Sequence, residues 1–288
     1  MTSLNLFDGL PNPLFAKPFA VFDLETTGLY PAVGDEIVEL GAVVVEDGKL
    51  TREYSRLVNP GREMDPTAAQ ISGIDPASLA REPRFEDVID EFLDVVKDKI
   101  LVAHNAEFDM AFVQYKLVRL QRPQLPNPVL DTLEIARAQD DNGPNTLGIL
   151  ANRLGIEGPH VHRALDDAVM TAKVLIHYLE EYHRRGHDDL TRLPGYRNAF
   201  QFSIDGPGRG EENSFVMVVD QVRQAIEGGA DLDIAYRGGS GTKRRQITPK
   251  AIRGMNVRGW CHLRKEEKDF RLDRIMDVAV VSAKPSAG

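Results

Sequence analysis

The chain has 288 residues, 42% of them hydrophobic, with 35 Lys and Arg against 44 Asp and Glu for a net charge of −9. That length supports one large and one small domain, each with its own core. No apolar run approaches the ~18 residues of a membrane span, no basic leader opens the chain, and a single cysteine, Cys261, excludes an internal disulfide framework. A cytoplasmic setting is expected. The acidity is unevenly spread: residues 1–212 carry 21 bases against 35 acids, whereas residues 213–288 carry 14 against 9, a split that suggests two parts with two tasks.

Residues 1–16 show no periodicity and read as a tail. Within it Ser3-Leu4-Asn5-Leu6-Phe7 resembles the Leu-x-Leu-Phe peptides with which bacterial DNA enzymes dock on the sliding clamp, with Ser3 where Gln is usual. That resemblance implies the clamp as a partner. The stretch Val21-Phe22-Asp23-Leu24-Glu25-Thr26-Thr27-Gly28 then alternates as a strand, so Asp23 and Glu25 point to one face and Phe22 and Leu24 to the other. Two acids side by side repel, and a fold presenting them usually holds a cation there. Thr26, Thr27 and Gly28 end the strand in a turn whose backbone N–H groups are placed to approach a ligand.

Residues 36–45 and 52–58 read as two further strands joined at Asp47-Gly48, giving an antiparallel start to the sheet. After a segment rich in Pro and Gly (59–84), the spacing of Phe85, Val88, Ile89, Phe92 and Leu93 predicts an amphipathic helix over 85–96. A short buried strand is expected at 100–103 and a helix over about 106–120, with Asn105 as its N-cap. This places Asp109 in the helix's first turn, where the positive end of the dipole stabilises an anion. Asp131-Thr132 follows another short apolar run, a helix is expected near 146–154, and His160-Val161-His162-Arg163-Ala164-Leu165-Asp166-Asp167 opens a long helix continuing to about residue 182.

Carboxylates and a histidine on a strand lip and at two helix starts can converge at one end of a sheet. Such oxygen donors favour a hard cation, Mg²⁺ or Mn²⁺, over zinc. Two such ions about 3.5–4 Å apart stabilise both the attacking and leaving oxygens of a phosphoryl displacement, and an imidazole can take the proton of the attacking water. That chemistry is phosphodiester hydrolysis.

Phe22-Asp23-Leu24-Glu25-Thr26-Thr27-Gly28, His104-Asn105-Ala106-Glu107-Phe108-Asp109 and His162-Arg163-Ala164-Leu165-Asp166-Asp167 resemble, in order, the three motifs of the DEDDh family of exonucleases, to which polymerase proofreading subunits belong. The resemblance covers roughly 17–182. It implies an α/β, RNase H-like domain with a mixed five-stranded sheet and a 3′-to-5′ exonuclease releasing nucleoside monophosphates in DNA repair or proofreading. It further implies that Asp23, Glu25 and Asp167 hold one of two divalent cations, Asp23 bridges to the second, Asp109 supports that second ion, and His162 is the general base. The family's spacing of His, four residues, then Asp selects His162 over His160 and leaves Asp166 a neighbour. By the same resemblance Thr26, Thr27 and Leu29 meet the terminal nucleotide, while His104, Asn105 and Phe108 line its pocket. Relatives often carry His-Gly-Ile where this chain has Ser72-Gly73-Ile74. The resemblance also implies a nucleoid-associated enzyme engaging single-stranded DNA or DNA 3′ ends, with an RNA-trimming enzyme as the alternative.

Residues 186–212, with the run Gly206-Pro207-Gly208-Arg209-Gly210, read as a linker between a first domain over 17–185 and a second over 213–288. In the second, a helix is expected over 214–227 and short strands at 231–237, 244–248, 251–257, 260–265 and 269–274, a pattern of a small barrel. Between Asp233 and Glu266 there is no acid, while nine bases occur. Acid-free basic strands suggest a phosphate-facing surface. This part resembles a WYL domain, through Ile234-Ala235-Tyr236, Gly259-Trp260-Cys261-His262-Leu263 and Phe270-Arg271-Leu272-Asp273-Arg274-Ile275, with Trp-Cys-His in place of Trp-Tyr-Leu. The resemblance implies an SH3-like β-barrel that binds single-stranded DNA or senses a nucleotide that gates the nuclease. It offers Arg271 and Arg274 at the family's usual positions, with Tyr236, Arg245 and Arg264 as further candidates.

Overall fold

The computed structural model describes residues 12–64, 66–139, 143–158, 163–200, 211–238, 241–253 and 256–281. The chain divides into two compact units, one comprising residues 1–29 and 36–201, the other 30–35 and 202–288.

The first unit is built on a mixed sheet. Its strands are β1 (Phe19–Thr26), β2 (Ile37–Glu46), β3 (Lys49–Leu57), β4 (Ile100–Ala103), β5 (Val129–Asp131) and β6 (Tyr196–Arg197), arranged β3-β2-β1-β4-β5-β6. β2 and β3 run antiparallel to their neighbours, β1, β4 and β5 are parallel, and β6 is antiparallel to β5. The sheet therefore has six strands among the described residues, not five. The sixth is a two-residue strand in the segment that the Gly and Pro content marks as linker. Leu193 is buried and Leu190 and Tyr196 pack against the same core, which ties 186–200 to the first unit.

Alternation along β1 divides the core in two. Ala20, Phe22 and Leu24 face a layer made by α3 (Phe85–Val96) and α4 (Ala106–Arg119), where Phe22 meets Phe92 edge-on at 5.7 Å. Phe19 and Val21 face the opposite layer, made by α5 (Thr132–Gln139), α6 (Leu147–Arg153) and the long α7 (Ala164–Arg184). Burying one such Phe is worth about 2–3 kcal/mol. Two short helices, α1 (Pro66–Ser72) and α2 (Pro76–Leu79), occupy the Pro- and Gly-rich segment, and Asp75 caps the second through Ala77 N at 3.0 Å. The end of the expected tail is part of this unit too. Pro13–Phe15 forms a single 3-10 turn capped by Asn12, and Leu14 and Phe15 are buried in the α7 layer. Ser3 to Phe7 lie outside the described residues.

The second unit has a helix, α8 (Glu211–Gly228), and one antiparallel sheet ordered β10-β9-β8-β7-β11. Its strands are β7 (Asp231–Gly238), β8 (Gly241–Arg253), β9 (Asn256–Cys261), β10 (Glu266–Arg271) and β11 (Ile275–Val281). The two short strands expected around Pro249 are one long strand, β8, with an irregularity between Pro249 and Ala251 where proline cannot donate to the ladder. By pairing the sheet ends at β10 and β11, yet it curls. The Tyr236 ring of β7 meets the Phe270 ring of β10 edge-on at 5.4 Å, and Tyr236 OH accepts from Arg271 N at 3.4 Å.

Candidate active site

The α7-facing side of β1 changes from Phe19 and Val21 to Asp23 and Glu25 as the strand nears its C-terminal end, as its alternation requires. Two neighbours bring the remaining acids. Asp167 lies in the first turn of α7, and one carboxylate oxygen from each of Asp23, Glu25 and Asp167 falls within 4.8 Å of the others. Asp109, in the first turn of α4, is buried and accepts from Leu24 N at 3.1 Å, which fastens that helix to β1 between the two acids. The site therefore opens where β1 separates an antiparallel from a parallel neighbour, the point at which open α/β sheets leave a crevice.

Burial first, and then the neighbouring acids, raise the pKa of Asp23, Glu25 and Asp109. Burial is the largest cause for Asp23, followed by Asp109, Asp167 and Glu25. Glu25 is pushed up to about 7, by burial first and then by Asp167 and Glu39, with Arg163 opposing. Asp109 is raised by burial against the pull of its backbone hydrogen bonds. All donors are oxygens, and their shared aversion to ionising together is what a divalent cation would relieve. The set fits Mg²⁺ or Mn²⁺.

The Thr27 hydroxyl accepts from Glu36 N at 2.9 Å and its own N–H donates to Glu36 O at 2.8 Å, so this N–H is committed to the turn and not offered to a ligand. Thr26 Oγ1 donates to Gly28 O at 2.6 Å. Leu29 is 65% exposed, an apolar side chain presented just past the strand lip. Phe108 is half-buried against Phe112. Both His104 nitrogens are engaged: Nδ1 with Thr132 Oγ1 at 2.9 Å and Nε2 with Asn145 O at 2.7 Å. Burial lowers its pKa, and Nε2 is the donor to Asn145 O, a carbonyl that can only accept. Asn105 occupies the N-cap position of α4 with φ 73°, but its side chain makes no capping bond. Asp131 caps instead, accepting from Asn105 N and Ala106 N at 3.0 Å each and from Leu133 N at 2.9 Å. His160 and His162 lie outside the described residues, which resume at Arg163.

Three contributors have no place in the motif reading: Asp131, Gly41 and Glu39. Gly41 stands opposite Asp23 in the ladder, and a Cβ there would lie 2.1 Å from the Ala164 carbonyl carbon. An isolated Gly in a Val-rich strand is the sequence sign of such close approach.

The model of the family described as "Exonuclease" matches residues 20–175. The chain belongs to the exonuclease family. A second family model, the WYL domain, matches residues 217–280. This exonuclease is 35% identical over 189 residues to the PolC-type DNA polymerase III of Thermotoga petrophila, covering 66% of this chain and 14% of the relative. It is 40% identical over 193 residues to that of Bacillus subtilis, covering 65% and 13%. The chain thus spans about a seventh of the length of these relatives. Its fold is like that of the nuclease domain of 3′hExo, a DEDDh family member bound to rAMP, with a TM-score of 0.50 at 17% identity over 57% of this chain and 92% of that one.

In the WYL unit the nine bases are not equally available. Arg244 pairs with Asp233 and Asp277 at 2.9 Å, and Lys250 and Arg258 share Glu267. Arg264, Arg271 and Arg274 are exposed, whereas Arg245 and Tyr236 are half-buried. Phe270 is core at 3% exposed, and Trp260 is 39% exposed on the outer face of β9. Among the described residues no helix is long and apolar enough to cross a membrane.

Proposed function

We propose that this exonuclease hydrolyses DNA from its 3′ end with two divalent cations, releasing nucleoside 5′-monophosphates. The observation that carries the reading is the convergence of Asp23, Glu25 and Asp167 oxygens within 4.8 Å, beside a buried Asp109. Cations held there would lower the pKa of the attacking water and neutralise charge on the leaving oxygen. Asp23, Glu25 and Asp167 would hold the first, Asp23 and Asp109 would serve the second, and His162 would take the proton of the attacking water. Leu29 and Phe108 give the terminal nucleotide an apolar seat, with Thr26, Thr27, His104 and Asn105 fixing the backbone around it. That arrangement fits a role in proofreading or repair, in keeping with the PolC-type relatives.

In the same reading the WYL unit engages single-stranded DNA. Exposed Arg264, Arg271 and Arg274 would track phosphates, with Arg245 and Tyr236 beside them, and Trp260 offers a face for stacking. End-labelled single-stranded DNA, duplex DNA and RNA, incubated with the full chain and Mg²⁺, Mn²⁺ or chelator, test the proposal. A 3′-to-5′ ladder of DNA products that vanishes with chelator is expected; digestion unaffected by chelator, or of RNA alone, would refute it.

A further inference from the structure

Glu39 is the third residue of β2, 1% exposed, directly across the ladder from Glu25. A carboxylate in that place, with two more acids beside it, is costly unless it is held by donors. The donors come from the start of α7. Arg163 Nε reaches one Glu39 oxygen at 2.9 Å and Nη2 the other at 2.7 Å, and Ala164 N adds a third bond at 3.1 Å. Ser55 Oγ lies 3.4 Å from the same carboxylate.

A guanidinium fork closing on a carboxylate fixes distance and orientation together, which a single charge contact does not. Here the fork joins the site's β2 wall to the residue on which the next turn is built, for Asp167 N donates to Arg163 O at 3.0 Å. Gly41, two residues along β2 on the same face, lets the Ala164 backbone lie against the strand. Because both Glu39 oxygens are occupied, Glu39 serves the site without being one of its ligands.

We propose that Glu39 and Arg163 are positioning residues of the exonuclease site, a clamp that sets the first turn of α7 so that Asp167 meets Asp23 and Glu25. The inference rests on the metal-centre reading above. Its distinguishing consequence is that loosening the clamp weakens cation binding while every ligand remains in the sequence.

The test uses the full chain as wild type, Glu39→Gln, Arg163→Gln and Arg163→Lys, with Mn²⁺ binding measured by calorimetry and digestion of single-stranded DNA followed against Mn²⁺ concentration. Gln keeps the shape of Glu39 but turns an amide NH₂ toward donors. We expect Mn²⁺ affinity to fall about 10- to 100-fold in Glu39→Gln and Arg163→Gln, with kcat partly recovered at saturating Mn²⁺. Arg163→Lys, which keeps the charge and loses the fork, should fall between. Wild-type affinity and wild-type kcat in a folded Glu39→Gln would overturn the clamp; should that variant fail to fold, the same result in Arg163→Lys overturns it. A wild type that binds no Mn²⁺ would instead remove the metal centre, and the clamp's purpose with it.

Discussion

Gly41 and Ala164 occupy one volume between them: the carbonyl carbon of Ala164 lies 2.1 Å from where a Cβ on Gly41 would be, and the neighbouring Leu165 N lies 2.2 Å away. Both obstacles are backbone, so neither can rotate aside. Gly41→Ala should therefore push the start of α7 off the sheet, costing about 1–3 kcal/mol of stability and carrying Asp167 away from Asp23. Thermal unfolding and nuclease assays on the same preparation check this; a Gly41→Ala protein with wild-type activity would mean that α7 reaches the site by another route.

The crowded acids make a pH prediction. In the unfolded chain Asp23 and Glu25 ionise near pH 4. In the metal-free fold Asp23 is raised and Glu25 is pushed up to about 7, so between about pH 4.5 and 7 the folded state holds protons that the unfolded state has released. Metal-free stability must then fall as pH rises through that window, by on the order of 3 kcal/mol from Glu25 alone. Melting temperatures in chelator should decline from about pH 5 to pH 8. Saturating Mn²⁺ should restore them. Asp23→Asn should flatten the profile and raise the melting temperature at pH 8 while reducing hydrolysis by roughly 10³-fold or more. A flat wild-type profile would contradict the crowding.

Asp131 holds the entry to the helix that carries Asp109, through bonds to Asn105 N and Ala106 N. Replacing it with Asn turns one acceptor into a donor facing an N–H. We expect Asp131→Asn to lose about 1–2 kcal/mol of stability and to lower kcat more than it raises KM, because the seat of an acid is disturbed and not a surface contact. Steady-state kinetics beside a denaturant titration separates the two effects, and an unchanged kcat would assign Asp131 to stability alone.

For the WYL unit, the ion pairs decide which bases count. Arg244 is held by two aspartates and should contribute little to DNA binding, whereas Arg264 and Arg274 have no ion pair among the described residues. Single-stranded DNA binding by a catalytically silent Asp23→Asn chain should weaken with salt. Arg264→Ala and Arg274→Ala should each reduce the log–log salt slope by about one, and Arg244→Ala by much less. Equal losses from all three would show that folded-state pairing does not select the contacts.

Much of this site could be read in advance because its acids sit on elements whose patterns are local. The amphipathic spacing from Phe85 marks α3 with the limits it has, Phe85–Val96, and the alternation through Asp23 and Glu25 gives the strand and its faces. Where packing between distant segments decides, the pattern says less. Asn105 has the composition of a cap, but a carboxylate 26 residues later takes that role. α5 is only eight residues long, and its buried Thr132, Ile135 and Ala136 make a single i, i+3, i+4 repeat, too short a run to mark a helix in the sequence. β11 follows β10 after only a three-residue 3-10 turn, Leu272–Arg274, without the Gly or Pro that separates strands elsewhere. Glu39 and Gly41 were visible as a charge and a small residue inside an apolar strand, yet their purpose depends on a helix that begins more than 120 residues later.

The two-faced character of β1 also limits how this chain can change in length. Inserting or deleting one residue between Phe19 and Phe22 would exchange the two sets of side chains, sending Asp23 and Glu25 into the aromatic layer against Phe92 and turning Phe22 and Leu24 toward the crevice. Pairing with β2 on one side and β4 on the other holds the register of this stretch. Drift in length is therefore confined to the connections between elements, and this strand acts as the fixed ruler from which the nuclease is measured.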